Sequence, residues 1–364
     1  MKPLVHLIAG ARPNFMKVAP LYHELVRRGE TDPRIVHTGQ HYDDAMSDSF
    51  FRELRMVKPH HHLGVGGGSH AEQTGRIMVA YERLCIERRP DWTIVVGDVN
   101  STLACAIVAK KLCIPLAHLE AGLRSFDRAM PEEINRVMTD AIADLLWTPS
   151  SDADTNLRNE GIPEQRIKLV GNIMIDAYVM LEDMITSLAV YREFGLRAGE
   201  YGVVTLHRPA NVDTNSTLIE LVDQLMKVSR RVPLIFPVHP RTRARLDAGN
   251  FLPKLTAAGL HICHPVSYTR FMSLVSNARF VVTDSGGVQE ETTYLGIPCL
   301  TVRENTERPI TLTEGTNRLV SRHNIERAVA DAMNAAGGAT RIPAMWDGLA
   351  AVRVADSLAD VMAP

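Results

Sequence analysis

Short apolar runs alternate with stretches of helical spacing along the chain. The runs are rich in Val, Ile and Leu, as in parallel strands that are buried on both faces. They predict strands at 4–9, 34–38, 92–96, 115–119, 167–172, 202–206, 234–238, 260–263, 280–283 and 298–302. The intervening spacing predicts helices at 17–28, 101–112, 131–143, 174–188, 218–230, 268–276, 288–295 and 346–362. This alternation is typical of an α/β fold.

The pattern restarts after residue 170, which indicates two domains. A length of 364 residues fits two domains at roughly 150 residues each. We predict two doubly wound, Rossmann-like domains that face each other across a cleft, one over 1–170 and one over 171–345. The C-terminal helix within 346–364 is expected to cross back to the first domain. Such domains bind ligands at the carboxyl ends of their strands.

Composition narrows the class of protein. With 45% hydrophobic and 23% charged residues and a formal net charge of −2, the chain is typical of globular proteins and lacks the basic field of a nucleic-acid binder. Its first apolar run is shorter than the roughly 18 residues of a membrane span. The five cysteines form no C-x-x-C pair, which favours reduced thiols and a cytoplasmic location.

The segment from Arg279 to Glu291 predicts a phosphate site. A β-branched strand runs into Ser285-Gly286-Gly287 and then into a helix, so backbone amides and the positive helix end would face an anion. Glu290 and Glu291 would follow in the first helical turn, within reach of a ribose. The alternative is an ordinary turn in which Asp284 or Ser285 only caps the helix.

Charged and polar residues also follow many of the other predicted strands. Each has a structural alternative, such as a solvated loop charge, a helix cap, a helix-dipole acid or a buried structural histidine. Their clustering at strand ends favours a function for the set. The set comprises Arg12, Lys17, Gln40, His41, Asp98, Glu120, Arg124, Glu132, Glu133, Arg136, His207, Arg208, His239 and Arg241.

A metal or dinucleotide site is not predicted. His60, His61 and His62 are adjacent on a segment expected to be an irregular loop, without the i, i+4 spacing of a helical metal site. Neither a G-x-G-x-x-G motif nor a P-loop motif occurs in the sequence.

A series of motifs resembles the non-hydrolysing UDP-N-acetylglucosamine 2-epimerases, which have the glycosyltransferase-B fold. The match runs nearly from end to end and keeps the order of the motifs. They are Gly10-Ala-Arg-Pro-Asn-Phe-Met-Lys17, Thr38-Gly-Gln-His41, Gly97-Asp98, His118-Leu-Glu-Ala-Gly-Leu-Arg124, Pro131-Glu-Glu-Ile-Asn-Arg136, Val170-Gly-Asn172, Leu206-His-Arg208, Pro237-Val-His239, Thr283-Asp-Ser-Gly-Gly-Val-Gln-Glu-Glu291 and Thr306-Glu-Arg-Pro309.

The resemblance implies that a UDP-sugar binds between the domains, without a metal or other cofactor. It also implies a homodimer. The residues that it assigns to UDP are Ser285, Gly286 and Gly287 at the phosphates, Arg12 opposite them, Glu291 at the ribose and Phe271 by the uracil, with Arg136 and His239 completing the set.

The family reaction is elimination of UDP to a 2-acetamidoglucal, followed by re-addition after a proton returns to the other face of C2. Cations such as Lys17 would stabilise the leaving diphosphate. Two acid/base groups are needed, and Asp98, Glu120 and Glu132 are the candidates. His207 is expected on the phosphate side or as a proton shuttle. The sequence does not assign the acid and the base separately.

Two sites depart from the family pattern. Asn14 and Ala210 stand where the family has carboxylates, which leaves a deoxy or diacetamido UDP-sugar open as the substrate. Asp43 and Gly67 stand where many bacterial members have Gln and Arg for a second substrate molecule. These two residues argue against allosteric activation.

Three other functions remain open on the sequence. A hydrolysing epimerase would release N-acetylmannosamine and UDP, and a glycosyltransferase would use the same nucleotide site. The third is a catalytically inactive sugar-nucleotide binder. Against the last two, three acids exceed what a single deprotonation or simple binding needs.

Overall fold

A computed structural model describes residues 2–39, 51–334 and 341–362 of the chain. The chain divides into two compact units. Unit 1 comprises Met1–Met180 and Ala344–Pro364, and unit 2 comprises Leu181–Pro343.

Unit 1 is a parallel sheet with helices in its connections. The strands are β1 (Leu4–Ala9), β2 (Asp32–His37), β3 (His61–His62), β4 (Trp92–Val96), β5 (Leu116–Leu119), β6 (Leu145–Thr148) and β7 (Ile167–Leu169). Their order in the sheet is β3-β2-β1-β4-β5-β6-β7. The helices are α1 (Arg12–Arg28), α2 (His70–Glu87), α3 (Asn100–Lys111), α4 (Pro131–Ile142), α5 (Ser151–Asn159) and α6 (Ile173–Leu188), the last of which continues into unit 2.

The register of this sheet brings three strand ends together. Strand β4 pairs with β1 on one side and with β5 on the other, both in parallel. Val96 lies opposite Leu119, so the turns that follow β4 and β5 begin at the same level. The core beneath them includes Ile8, Val95 and Leu146, which are fully or almost fully buried.

Unit 2 repeats the scheme with strands β8 (Gly202–Thr205), β9 (Leu234–Pro237), β10 (Leu260–Cys263), β11 (Phe280–Thr283), β12 (Cys299–Thr301) and β13 (Asn317–Leu319). They form a parallel sheet in the order β10-β9-β8-β11-β12-β13. The helices are α7 (Pro209–Val212), α8 (Asn215–Ser229), α9 (Pro240–Ala248), α10 (Leu252–Ala257), α11 (Tyr268–Val275), α12 (Gly286–Leu295), α13 (Ile310–Thr313) and α14 (Ile325–Asn334). Short 3₁₀ helices lie at Glu164–Arg166, Val190–Phe194 and Arg322–Asn324. Two parallel, doubly wound sheets confirm the predicted α/β class.

The last helix, α15 (Ala350–Met362), returns to unit 1 and packs against α1, as predicted. The Asp176 carboxylate of α6 accepts hydrogen bonds from the Ala350 and Ala351 amides at 3.1 and 2.7 Å, which caps the start of α15. Ser357 on α15 accepts a hydrogen bond from the buried Trp147 indole at 3.0 Å. The C-terminal residues are therefore part of the unit that the N-terminus begins.

Some elements differ from the sequence prediction. Helix α1 begins at Arg12 rather than at residue 17, because Pro13 lies in its first turn, where no amide hydrogen bond is lost. His61 and His62 form a short edge strand beside β2 rather than an irregular loop. Within the described part of the chain, no helix is long and apolar enough to cross a lipid bilayer.

Candidate active site

In unit 1, three of the predicted residues converge at the ends of neighbouring strands. Asp98 follows β4 and Glu120 follows β5. Lys17 lies in α1, which follows β1, and its ammonium forms a buried ion pair with Glu120. Gly97 shows how close the groups are: a Cβ at this position would lie 3.2 Å from Lys17 Nζ and 3.3 Å from Glu120 Oε2. Gly97 also has a φ of +66°. Glycine is therefore favoured here both by the lack of space for a Cβ and by the left-handed backbone.

Asp98 is paired with Arg136 of α4. The Arg136 guanidinium is buried and also donates to Glu133 Oε2, at 3.0 Å from Nε and 2.7 Å from Nη2. Burial would raise the pKa of Glu133, but the Ser125 amide and the Arg136 charge outweigh burial and lower it. Arg136 therefore has an ionised carboxylate on one side and Asp98 on the other.

Glu132 and Glu133 are neighbours on α4 with opposite environments. Glu133 is buried and accepts the Ser125 and Phe126 amides at 2.9 Å each, so it fixes the loop before α4. Glu132 is exposed. Glu133 has its carboxylate held by the loop and by Arg136, whereas Glu132 is accessible at the surface of α4.

Asn14, which departs from the family pattern, is buried beside the acid cluster. Its Oδ1 accepts from the Ala11 amide at 2.8 Å, and its Nδ2 donates to the Val96 carbonyl at 2.9 Å. A glutamate carboxylate accepts the first bond but has no proton for the second. The amide thus ties the turn after β1 to the end of β4.

A buried network behind the acids was not predicted. His118 of β5 places Nδ1 at 2.6 Å from Asp140 and Nε2 at 2.8 Å from the Gly97 carbonyl oxygen. Asp140 also pairs with Arg124 at 2.7 Å. The sequence spacing could have indicated part of this network. Glu133, Arg136 and Asp140 lie three and four residues apart, which places them on one face of a helix.

In unit 2, the predicted phosphate turn forms the start of α12. Ser285 is the N-cap residue, and Gly286 and Gly287 are the first two helical residues. A Cβ on Gly286 would lie 2.7 Å from the Arg308 guanidinium, whereas one on Gly287 would meet nothing within 4 Å. The turn thus has a cation against one glycine and open space at the other.

Arg308 belongs to a cluster of arginines and glutamates beside this turn, which we call the arginine cluster. Its members are Arg208, Arg303, Arg308, Glu290 and Glu307. Burial favours the neutral form of Glu307, but Arg308 and Arg303 overcome it and lower the pKa of Glu307 to about 2. Three guanidinium groups against two carboxylates give this cluster a net positive charge next to a helix N-terminus, which favours an anion.

His207 is oriented by Asp284, which the sequence analysis considered only as a helix cap. His207 Nδ1 lies 3.0 Å from Asp284 Oδ1. The same carboxylate accepts the Arg208 amide at 2.9 Å and Asn211 Nδ2 at 3.0 Å. Burial raises the pKa of Asp284, but the bond to His207 and the other donors reverse the shift and lower it. An ionised Asp284 places the Nδ1 proton toward itself, so Nε2 is on the far side of a ring that is 39% exposed.

Three further predicted residues of unit 2 have distinct surroundings. Glu291 is buried and accepts from the Tyr268 hydroxyl at 2.7 Å, and burial raises the pKa of Glu291 to about 8. Phe271 is half-buried on the same helix as Tyr268. His239 is exposed, and its ring centroid lies 5.7 Å from that of His207. Since α12 begins at Gly286, Glu290 and Glu291 fall in the second helical turn rather than in the first, which was predicted for both.

Several predictions fall outside what the structure describes. Arg12 is the first residue of α1, but its side chain is not among the described groups. Gln40, His41 and Asp43, which bear on activation by a second substrate molecule, lie outside the described residues.

Comparison with known proteins finds similar chains. A UDP-N-acetylglucosamine 2-epimerase of Methanocaldococcus jannaschii is 42% identical over 320 residues, which cover 86% of this chain and 87% of the relative. The UDP-2,3-diacetamido-2,3-dideoxy-D-glucuronate 2-epimerase of Pseudomonas aeruginosa is 39% identical over 317 residues, with 86% and 87% coverage.

Solved structures show the same fold. The crystal structure of the M. jannaschii UDP-GlcNAc 2-epimerase in complex with UDP-GlcNAc and UDP has a TM-score of 0.89 at 39% identity and covers 98% of this chain and 99% of that one. The Neisseria meningitidis enzyme bound to UDP-GlcNAc has a TM-score of 0.87 at 25% identity, with 98% and 100% coverage. The sequence profile described as UDP-N-acetylglucosamine 2-epimerase matches residues 23–359, and the chain belongs to that family.

Proposed function

We propose that this protein is an enzyme that epimerises C2 of a UDP-N-acetylhexosamine, converting UDP-GlcNAc to UDP-ManNAc or a close UDP-2-acetamido sugar. One observation carries the proposal: the acids Asp98 and Glu120 follow adjacent strands of unit 1, while the helix start and the arginine cluster of unit 2 favour an anion. The reaction needs both, since a diphosphate must leave C1 while a proton moves at C2.

In unit 2, the UDP-binding residues that we propose surround the start of α12. Backbone amides at Gly286 and Gly287 take the diphosphate, supported by the positive arginine cluster. Glu291 accepts or donates hydrogen bonds at the ribose, and Phe271 packs by the uracil. His207 presents Nε2 to the leaving phosphate oxygen, where it stabilises charge or transfers a proton. His239, next to His207, completes the set.

In unit 1, we propose that Asp98, Glu120 and Glu132 supply the acid and base at C2. The C1–O bond to the diphosphate breaks, one of these groups takes the C2 proton, and a C1=C2 double bond forms. A proton then returns to the opposite face of C2, and a phosphate oxygen of UDP re-forms the bond to C1. Glu120 is paired with Lys17 and Asp98 with Arg136, so each acid has a cation beside it. Arg12 and Arg136 are the proposed contacts to the diphosphate side of the sugar.

The outcome that we propose is epimerisation without net hydrolysis. Return of UDP to the glucal requires that UDP stay bound while the proton is exchanged. The resemblance of the motif series to the non-hydrolysing epimerases supports this outcome.

Incubation with UDP-GlcNAc in heavy water, followed by NMR, tests this function. We expect deuterium at C2 of both UDP-GlcNAc and UDP-ManNAc, with little UDP accumulating. Stoichiometric UDP and free N-acetylmannosamine would mean hydrolysis, and transfer only in the presence of an acceptor would mean a glycosyltransferase. If no deuterium enters C2, UDP-GlcNAc is not the substrate, and the diacetamido sugar acted on by the P. aeruginosa relative is the next compound to test.

We also propose that the enzyme is a cytoplasmic homodimer. Ile134 and Met138 lie one turn apart on α4 and are 47% and 45% exposed, a surface that a second subunit would cover. Light scattering coupled to size-exclusion chromatography should give twice the mass of the chain; the mass of a single chain would contradict the dimer.

A further inference from the structure

Asp98 and Glu120, two of the proposed acids of unit 1, are supported by one buried side chain, which we call the anchor. Asp140 of α4 is fully buried and lies behind the turns that carry Asp98 and Glu120. Its two carboxylate oxygens contact different parts of the unit. Oδ1 meets His118, and Oδ2 meets the Gly122 amide and Arg124.

The first arm of this network reaches Asp98. His118 joins Asp140 to the Gly97 carbonyl oxygen through its two ring nitrogens, at 2.6 and 2.8 Å. A carbonyl oxygen only accepts, so Nε2 donates to Gly97, while Nδ1 faces the Asp140 carboxylate. The ring thereby fixes the peptide that immediately precedes Asp98.

The second arm reaches Glu120. The turn Glu120-Ala121-Gly122 has φ values of +73° at Glu120 and +81° at Gly122. A non-glycine residue in this region of φ is strained and persists only where its surroundings hold it. The 3.0 Å hydrogen bond from the Gly122 amide to Asp140 is one of the contacts that hold this turn.

Charge balance keeps Asp140 ionised in this setting. Burial alone would raise the pKa of Asp140, but the charges and hydrogen bonds of His118 and Arg124 reverse the shift and lower it. Arg124 is itself held in a two-bond pair with Glu160 at 2.7 Å per bond. The anchor is thus part of a connected set of paired charges.

We propose that Asp140 is a positioning residue for the epimerase reaction, which sets the places of Asp98 and Glu120 through His118 and Gly122 without touching the substrate. The inference rests on the proposed function. It predicts that damage to Asp140 lowers the rate of proton transfer at C2 and leaves UDP binding in unit 2 unchanged.

The test compares Asp140→Ala with Asp140→Asn. Alanine removes all acceptors, so kcat for C2 exchange should fall about 100-fold, as for a misplacement of catalytic groups by about 1 Å. Asparagine keeps an oxygen that accepts from the Gly122 amide and an N–H that faces His118 Nδ1, so the fold loss in kcat should be at least about tenfold smaller than for Asp140→Ala. The Kd for UDP should stay within about twofold in both variants.

A double-mutant cycle separates positioning from a general loss of structure. In an Asp98→Glu background the acid is already displaced, so Asp140→Ala should cost much less than in the wild-type background. Asp176→Asn is the matched control, because Asp176 is also buried and binds two amides, but those amides belong to α15. It should lower the melting temperature and keep kcat.

The outcomes that overturn the inference are distinct from failure of the proposed function. An unchanged kcat in Asp140→Ala, or an equal fold loss in both backgrounds, would overturn it. If Asp140→Ala does not fold, His118→Asn replaces it, with an expected loss in kcat of about tenfold; an unchanged kcat would then count against the inference. Absence of C2 exchange in the wild-type chain would overturn the function and the inference together.

Discussion

Both units hold a histidine whose Nδ1 faces a buried aspartate, and the two pairs differ in what the other ring nitrogen meets. His118 is fully buried, and its Nε2 is bound to the Gly97 carbonyl oxygen. His207 is 39% exposed, and its Nε2 lies on the side away from Asp284. We infer that the same pair of side chains acts as a structural brace in unit 1 and serves the proposed proton transfer in unit 2. Burial of the second nitrogen decides between these roles.

The largest expected effect concerns the acids that the brace supports. Asp98→Asn should lower deuterium uptake at C2 about 10³-fold, because an amide neither takes nor returns a proton. The Kd for UDP, measured by calorimetry, should change by less than about twofold. Asp91→Asn is the control, since Asp91 precedes the same strand at its other end and binds the Leu4 amide. A parallel loss of UDP binding would show that Asp98 belongs to the nucleotide site.

The next effect tests the brace itself. His118→Asn should lower the free energy of unfolding by about 3 kcal/mol, because it removes a hydrogen-bond partner of the fully buried Asp140 carboxylate. His207→Asn should cost less than about 1 kcal/mol, since its pair is partly solvated. Urea denaturation of both variants measures the difference. Equal losses would remove the distinction between the two pairs.

The rates should show the opposite order. His207→Asn should lower kcat about 10²-fold, the usual contribution of a proton-transfer group. His118→Asn should lower it only about tenfold, through displacement of Asp98. His323→Asn, an exposed histidine of unit 2, provides a control without change. A His207 variant with wild-type kcat would assign that ring to binding alone.

The smallest effect concerns a buried carboxyl whose hydrogen-bond donor is a hydroxyl. The pKa of Glu291 is raised to about 8 by burial, with Tyr268 as its donor and Glu290 nearby. The folded state then binds more protons than the unfolded state from about pH 4.5 to 8, so stability falls as pH rises through that window. Between pH 5.5 and 7.5 the loss should be up to about 2 kcal/mol. Glu291→Gln should abolish this part of the pH dependence in urea titrations; a dependence equal to the wild type would contradict the assignment.

The sequence predicted best those strands that are marked by a compact run of apolar residues. Leu4–Ala9, Trp92–Val96, Leu260–Cys263 and Phe280–Thr283 were predicted with the bounds that the structure has, because each is a compact apolar run. Leu145–Thr148 was missed although it is fully buried. Only two residues separate α4 from this four-residue strand, and so short a run has no periodicity of its own.

The residues of the candidate site likewise fall into those with a local sequence signal and those without one. The turn at Ser285 and the acids at 98 and 120 were predicted, since each follows a strand directly. The supporting residues Asp140 and Asp284 were not assigned these roles, because their hydrogen bonds to His118 and His207, 22 and 77 positions away, leave no local pattern. Long-range pairing of this kind becomes visible only when the strands are placed side by side.

The return of α15 to unit 1 has a consequence for biosynthesis. The ribosome synthesises all of unit 2 before it reaches Ala350 and Ser357, the α15 residues that bind Asp176 and Trp147. Unit 1 is thus begun before unit 2 and can complete its contacts only after the chain has been synthesised through α15. Truncations and fusions at the C-terminus will therefore affect the unit that carries the acids, although unit 2 is the nearer neighbour in sequence.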